Sequence, residues 1–388
     1  MRRLTAAFLF VVLFGNLVAV GQDTTMIDRP FVTGGIYDKP YITRLRGRAS
    51  IGGYAETAFR FEREAGFKNE MSFGVERFNL FAFAPVSDRV RLAAELEFEE
   101  GGGEINLELA IIDFELHPAM TFRGGILLSP LGRFNLAHDS PANEVNDRPL
   151  VSTEIIPATL SEPGMGFLGS IHPAAPWRVT YEAYLVNGFH GGIINDSPNG
   201  TRIAAGKANF EDNNAHPSLV VRVALSPSPQ FEAGISTHTG PYNEWTTEGL
   251  ATDEQRDVII VAVDLEGQWN HLRLLGEYAH ASIEVPGESG GVFADEQSGY
   301  YVQLSYRVVY GVWAVLPRSH FTAVVRFGSV DWNTEIDGDD QRRLTLSTNF
   351  RPTDDTVFKL DYQYNWVTDG FNNEVTQAAI IFGLASYF

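Results

Sequence analysis

The sequence predicts an all-β protein, a transmembrane antiparallel β-barrel of about sixteen strands, and three observations carry that expectation. After residue 21 no apolar run approaches the roughly 20 residues that a spanning helix needs. From Ala49 to Phe388 short segments alternate apolar and polar side chains with a period of two, the mark of a strand with one oily face. The connections between those segments are mostly short after even-numbered ones and mostly long and polar after odd-numbered ones, as in barrels with both termini on the short-turn side.

The N-terminus sets the compartment. Arg2 and Arg3 precede an apolar run from Ala6 to Val20, and Ala19-Val20-Gly21 offers small residues where a signal peptidase cleaves, so residues 1–21 read as a secretory signal. Residues 22–48, punctuated by Pro30, Gly34, Gly35 and Pro40, read as an irregular periplasmic lead-in, and residues 49–388 as the barrel. The chain has no cysteine, which excludes a disulfide framework and thiolate chemistry. A net charge of -20 and a pI near 4.8 argue against nucleic acid as a partner.

The strand candidates are 49–61, 73–85, 89–99, 104–116, 120–129, 164–172, 177–187, 217–225, 230–238, 256–266, 270–281, 298–308, 319–330, 342–351, 356–366 and 375–388. Each is near the 9 to 11 residues that cross a bilayer when tilted. Turn residues join them in pairs: PVSD at 85, HPA at 117, SPSP at 226, QWN at 268 and PTDD at 352. The clearest strand is RVRLAAELEFE, Arg89 to Glu99, with Val90, Leu92, Ala94, Leu96 and Phe98 on one parity and Arg89, Arg91, Glu95, Glu97 and Glu99 on the other. An arginine facing mid-bilayer costs about 2 to 4 kcal/mol, so strict segregation of charge is expected when the apolar face meets lipid, with no core involved. In ELAIIDFEL, residues 108 to 116, the apolar parity flips, which reads as a β-bulge.

The polar parity supplies the candidate lumen lining: Arg89, Arg91, Glu95, Glu97, Arg123, Arg178, Glu182, Arg222, Arg273, Glu277, Arg307, Arg326 and Arg343. Guanidinium groups suit oxyanions, but carboxylates on the same faces would pair with many of them as wall salt bridges. Small residues along Ile51-Gly53-Ala55-Thr57 and at Ala82, Ala84, Ala378 and Ser386 mark an outer face on which another subunit is expected to approach closely.

The longest connection, residues 130 to 163, follows strand five. A loop of this length without strand pattern is usually functional or disordered, and its apolar interior (Leu150, Val151, Ile155, Ile156) suits a packed segment. Folded toward the lumen it would place Arg133, Asp139, Glu144, Asp147 and Arg148 at a constriction; lying over the rim it would not.

Several stretches together resemble one family. IGGYAE at 51, RFNLF and SDRVRLAAELEFE within 77 to 99, LELAIIDFEL, GILLSPLG at 125, NDRPLVSTEIIPAT at 146 and the closing TLSTNFRPTDDTVFKLDYQYNW look like the phosphate-selective porin O/P family of bacterial outer membranes. The resemblance runs from about Ile51 to Phe388. It implies a sixteen-stranded barrel in outer-membrane lipid, usually a homo-trimer, whose third extracellular loop narrows a pore for small hydrophilic solutes or ions. The last strand places Ile380, Phe382, Leu384 and Phe388 on one parity, resembling terminal strands read by outer-membrane assembly, with Ser386 as the departure. Phosphate selectivity requires fixed cations along the pore, and the chain has only Lys39, Lys68, Lys207 and Lys359 besides its arginines.

Catalytic patterns are lacking. There is no HExxH and no GxSxG elbow between a strand and a helix, and adjacent His138-Asp139-Ser140 cannot point at one another as a triad does. DGDD at 337 to 340 lacks the glutamate of an EF-hand loop. A porin without cofactor, metal or chemistry is the expectation. A surface or adhesion barrel, and then a barrel enzyme, are the alternatives.

Overall fold

The computed structural model describes residues 35, 36, 39, 43–45, 49–195, 200–287, 293–311 and 313–388. The expected signal segment and most of the expected lead-in lie outside the described residues.

Sixteen antiparallel strands form the wall. The first eight are β1 (Ala49–Glu64), β2 (Phe67–Pro85), β3 (Val90–Glu99), β4 (Glu104–His117), β5 (Met120–Leu128), β6 (Ser161–Ile171), β7 (Arg178–Val186) and β8 (Ser218–Ser228). The second eight are β9 (Phe231–Pro241), β10 (Asp257–Trp269), β11 (Leu272–Ile283), β12 (Glu296–Tyr310), β13 (His320–Asp331), β14 (Asp340–Arg351), β15 (Thr356–Thr368) and β16 (Glu374–Tyr387). Each pairs with the next, and β16 pairs with β1 from Gln377↔Glu64 to Tyr387↔Tyr54, which closes the ring. Closure leaves no sheet edge and satisfies the backbone without water, the condition for spanning lipid with strands.

The outer face is the one the alternation predicts. On β3, Leu92 and Leu96 are exposed on the isolated chain while Ala93, Glu95 and Glu97 are buried toward the inside. Phe321, Phe350, Phe358 and Phe382 form a chain of neighbouring rings on the outer surface near the short-turn end, with centroid separations of 4.8 to 6.4 Å, as an interfacial girdle does.

The bulge expected in strand four is present: the register with β3 shifts between Glu95 and Leu96, so Glu108 is the extra residue and turns inward beside Leu109. Two other features depart from the sequence expectation. The first concerns residues 62–72, expected to connect strands one and two; β1 and β2 instead continue pairing to Glu64↔Phe67. Ala65 (φ 46°) and Gly66 (φ 84°) make the two-residue turn, whose positive φ values suit a twisted hairpin and favour glycine.

The second departure is the extent of the core inside the barrel: the packed loop expected from Leu150, Val151, Ile155 and Ile156 is joined by a second connection and by wall residues. The connection 129–160, with a single helical turn α1 (Val151–Glu154), enters the lumen. Its Leu131, Leu150, Val151, Ile155 and Ile156 pack with Phe189, Ile193 and Ile203 of the connection after β7. Both segments rest on Val258, Ile260 and Ala262 of β10 and Ala279, Ala281 and Ile283 of β11. β10 is therefore apolar on both faces over its long-loop half, Val258 to Val263, whereas the outer face of β11 there carries His280 and Ser282. At about 1.5 to 3 kcal/mol per fully buried large aliphatic side chain, this packing fixes the inward loop more firmly than its ion pairs do. A second cluster, including Ala93, Leu109, Ile111 and Leu127, lies on the inward faces of β3 to β8, with Leu136 of the inward loop packed into it.

Candidate functional site: the loop-crossed lumen

The inward loop is tied to the wall along its length. Gly132 N donates to Ser236 Oγ on β9 at 2.9 Å. On β11, Glu277 Oε2 accepts from the backbone N–H groups of Arg133 (2.8 Å) and Phe134 (3.0 Å), and its Oε1 accepts from Ser152 Oγ (2.8 Å). Arg133 pairs with Glu266 of β10 at 2.5 Å. His138 meets Glu108 at 2.5 Å, so the bulge aims a carboxylate at the loop. Ser140 bonds Glu56 of β1, and Lys359 of β15 donates to the Ser140 carbonyl at 2.8 Å.

Farther along, Glu144 is held by Gln303 and Ser305 of β12, and its carbonyl accepts from Asn349 Nδ2 of β14 at 2.7 Å. Asn146 N donates to Asp361 of β15 at 2.7 Å. Asp147 meets Arg60 of β1 at 2.6 Å and lies 3.8 Å from Arg343 of β14, while Arg326 of β13 donates to the Asp147 carbonyl at 2.7 Å. Arg148 donates to the loop's own Ala158 carbonyl at 2.8 Å. Contacts with strands on every side place this loop across the lumen and not over the rim.

The wall arginines are largely spent on carboxylates. Arg123 forks onto Asp113 at 2.8 and 2.9 Å, and Glu182, 4.0 Å from it, accepts from Tyr184 Oη. Arg222 meets Asp264 at 2.7 Å and Glu232 at 3.6 Å; Arg178 lies 3.5 Å from Glu232. Arg273 binds Glu266 at 2.8 Å, and Arg343 donates to Asn365 at 2.6 Å. Arg326 also donates to Gln303 and lies over the Tyr301 ring at 5.6 Å. Glu97 is 3.3 Å from Arg77. The wall-salt-bridge arrangement thus describes most of the predicted lining. Arg91 is half-exposed and 3.8 Å from Glu115. Arg307 is exposed, with no ion pair among the described residues, and Arg89 is an exposed residue of the turn before β3, outside the strand expected to carry it.

Sequence reasoning missed several participants. Glu108 was hidden by the bulge, although the parity flip flagged its position. Arg60, Asn79 and Tyr387 lie on lining parities but were not singled out. Lys39, in the expected periplasmic lead-in, is instead buried inside the barrel between Glu95 and Asp139. No local pattern could have found it, because its partners lie 56 and 100 residues away.

Burial alone would raise the Asp147 carboxyl, but the Arg60 hydrogen bond and the nearby Arg343 hold it down to about 2. A folded value below the ordinary one, about 4, means this anchor is fully present above about pH 4 and is lost as pH falls toward 2. The shift corresponds to about 2 to 3 kcal/mol. We expect current noise from loop motion to grow as pH is lowered through that window, with Asp147→Asn equally noisy at neutral pH. Noise that does not depend on pH in either protein would contradict this role for Asp147.

Closure, strand number, the apolar belt and a loop folded into the lumen define a porin-type barrel of the bacterial outer membrane. No family model matches the chain. An uncharacterized protein of Aquifex aeolicus (strain VF5) is 32% identical over 156 residues, which cover 38% of this chain and 34%, about a third, of that protein. Among solved structures, the outer membrane channel DcaP of Acinetobacter baumannii is similar at a TM-score of 0.59 and 10% identity, over 89% of this chain and 99% of that one. An anion-selective porin from Comamonas acidovorans gives 0.58 and 12%, over 88% and 99%. The trimer form of OmpT of Vibrio cholerae gives 0.53 and 13%, over 88% and 100%. At these identities the likeness is one of fold.

Proposed function

We propose that the chain is an outer-membrane porin through which small hydrophilic solutes and ions diffuse passively past the inward loop. The observation that carries this is that charged lumen-facing side chains stay water-accessible on both sides of the loop. Arg60, Arg77 and Arg343 are partly exposed toward the long-loop end, and Arg91, Glu266 and Arg273 toward the short-turn end. With most arginines paired, the reading is a mixed-charge pore of weak selectivity. The family resemblance implies anions such as phosphate among these solutes, and the exposed Arg89 and Arg307 near the short-turn end support that reading. The similarity to a trimeric outer-membrane protein supports a homo-trimer, with exposed Ala55, Thr57 and Ala82 on the outer face of β1 and β2 at its interface. Residues 1–21 are proposed to be removed on export.

Planar-bilayer conductance under a salt gradient tests the proposal: the reversal potential gives ion preference, added phosphate tests for block, and no conductance at all would sink the porin reading. Arg89→Ala combined with Arg91→Ala is expected to shift the reversal potential toward cations. An unchanged potential would mean that these groups do not act on the permeating ion.

A further inference from the structure

Lys39 reaches the inside of the barrel from the segment that precedes the wall, and its surroundings form a cage. Its ammonium donates to Glu95 of β3 and to Asp139 Oδ1 at 3.0 Å, and it stands 4.1 Å from the centroid of the Phe81 ring. The cage is held in shape from behind. Asn79 Nδ2 donates to Glu95 Oε1 at 2.8 Å and to Glu108 Oε2 at 3.2 Å, and Tyr387 Oη donates to Asp139 Oδ2 at 3.0 Å. Asn79 is fully buried, and its Oδ1 has no hydrogen-bond partner among the described residues, so the site retains an unused acceptor.

The charges explain what such a cage needs. Glu95, Glu108 and Asp139 are nearly excluded from water; Lys39 and His138 are the basic groups facing them, beside the uncharged donors Asn79, Thr159 and Tyr387. A buried carboxylate pair is costly unless a cation compensates it, and an aromatic face adds attraction for an ammonium. Burial alone would lower the Lys39 ammonium, yet Asp139, Glu95 and Glu108 hold it above its ordinary value. Two carboxylates that accept from –NH₃⁺ and a ring beside it suit a primary alkylammonium, which brings a positive charge and N–H donors together. A quaternary ammonium has no N–H for the carboxylates.

We propose that Glu95, Asp139 and Phe81 form a binding site for primary alkylammonium groups, that Lys39 is its tethered occupant, and that amine-bearing solutes entering the lumen compete with it. The access of solutes rests on the porin reading; the site itself does not. Tethering gives Lys39 a high effective concentration, so competition should be weak until it is removed.

The test is chemical rescue in the full-length protein. Lys39→Ala in detergent is expected to lower Tm, and millimolar n-butylammonium chloride to reverse most of that loss, whereas sodium and tetramethylammonium chloride do not. Restoring Tm equally with all three salts, or with none, would overturn the proposal. Should Lys39→Ala fail to assemble, Lys39→Met keeps the stem and removes only the charge. In bilayers methylammonium, small enough to place its –NH₃⁺ beside the Met stem, should then block Lys39→Met at about tenfold lower concentration than wild type, and equal block would overturn the proposal. Absence of conductance in wild type would defeat the porin reading but leave the Tm rescue to decide the site.

Discussion

Replacing Glu277 by alanine is expected to raise single-channel conductance severalfold, because it unties both limbs of the inward loop at once. Its carboxylate takes two backbone N–H groups from the loop's first limb and the Ser152 hydroxyl from α1. After truncation these donors stay buried without a partner, at about 1 to 3 kcal/mol each. The loop keeps its other anchors, Arg133 on Glu266 and Asp147 on Arg60, and its apolar packing, so the barrel is expected to remain folded while the constriction widens and fluctuates. Glu277→Gln retains one acceptor and should be milder. Bilayer recordings check this directly: an alanine variant with wild-type conductance and wild-type noise would show that Glu277 does not hold the constriction.

A second large effect is expected in stability. Arg222 on β8 and Asp264 on β10 meet at 2.7 Å across the intervening β9, where Gly234 leaves them room; a Cβ there would stand 2.5 Å from Arg222 Nη2. Both side chains are almost wholly buried, and Glu232 is the nearest other acid at 3.6 Å. Arg222→Met would leave Asp264 charged and unpaired, a loss of about 3 to 5 kcal/mol, while Arg222→Met with Asp264→Leu removes both charges and should recover much of it. Denaturant unfolding in detergent micelles measures both. A double variant less stable than either single one would show that the two losses simply add and that the cost of Arg222→Met is not that of an unpaired Asp264.

The wall was legible in the sequence because lipid punishes error. A charge on the outer parity of β3 or β13 is so costly that Leu92 and Leu96, or Ala323 and Val325, declare their side residue by residue. The lumen was less legible for the opposite reason: water, a loop or an ion pair can satisfy an inward side chain equally well. Hence the periodicity around Arg222 located the lining without revealing Asp264 as its partner. Val258 and Ile260 gave no sign that two loops would cover them, since period-two alternation vanishes when both faces are apolar. Glu108 was obscured by a one-residue insertion that reverses parity, and Lys39 by its distance along the chain. The loop's burial was foreshadowed by Leu150, Val151, Ile155 and Ile156, apolar residues that a rim loop would not need.

The two-faced apolar stretch of β10 also matters before the barrel exists. Val258-Ile259-Ile260-Val261-Ala262-Val263 has no proline or charge and is rich in β-branched residues, the composition that drives strands of separate chains to stack on one another. In the finished protein lipid covers one side and the two infolded loops the other, but during transit neither cover is available. Asp257 and Asp264 bracket the stretch, as gatekeeper charges do. Asp264 thus serves twice: as the partner of Arg222 once folded, and as a brake on self-association while the chain is still open.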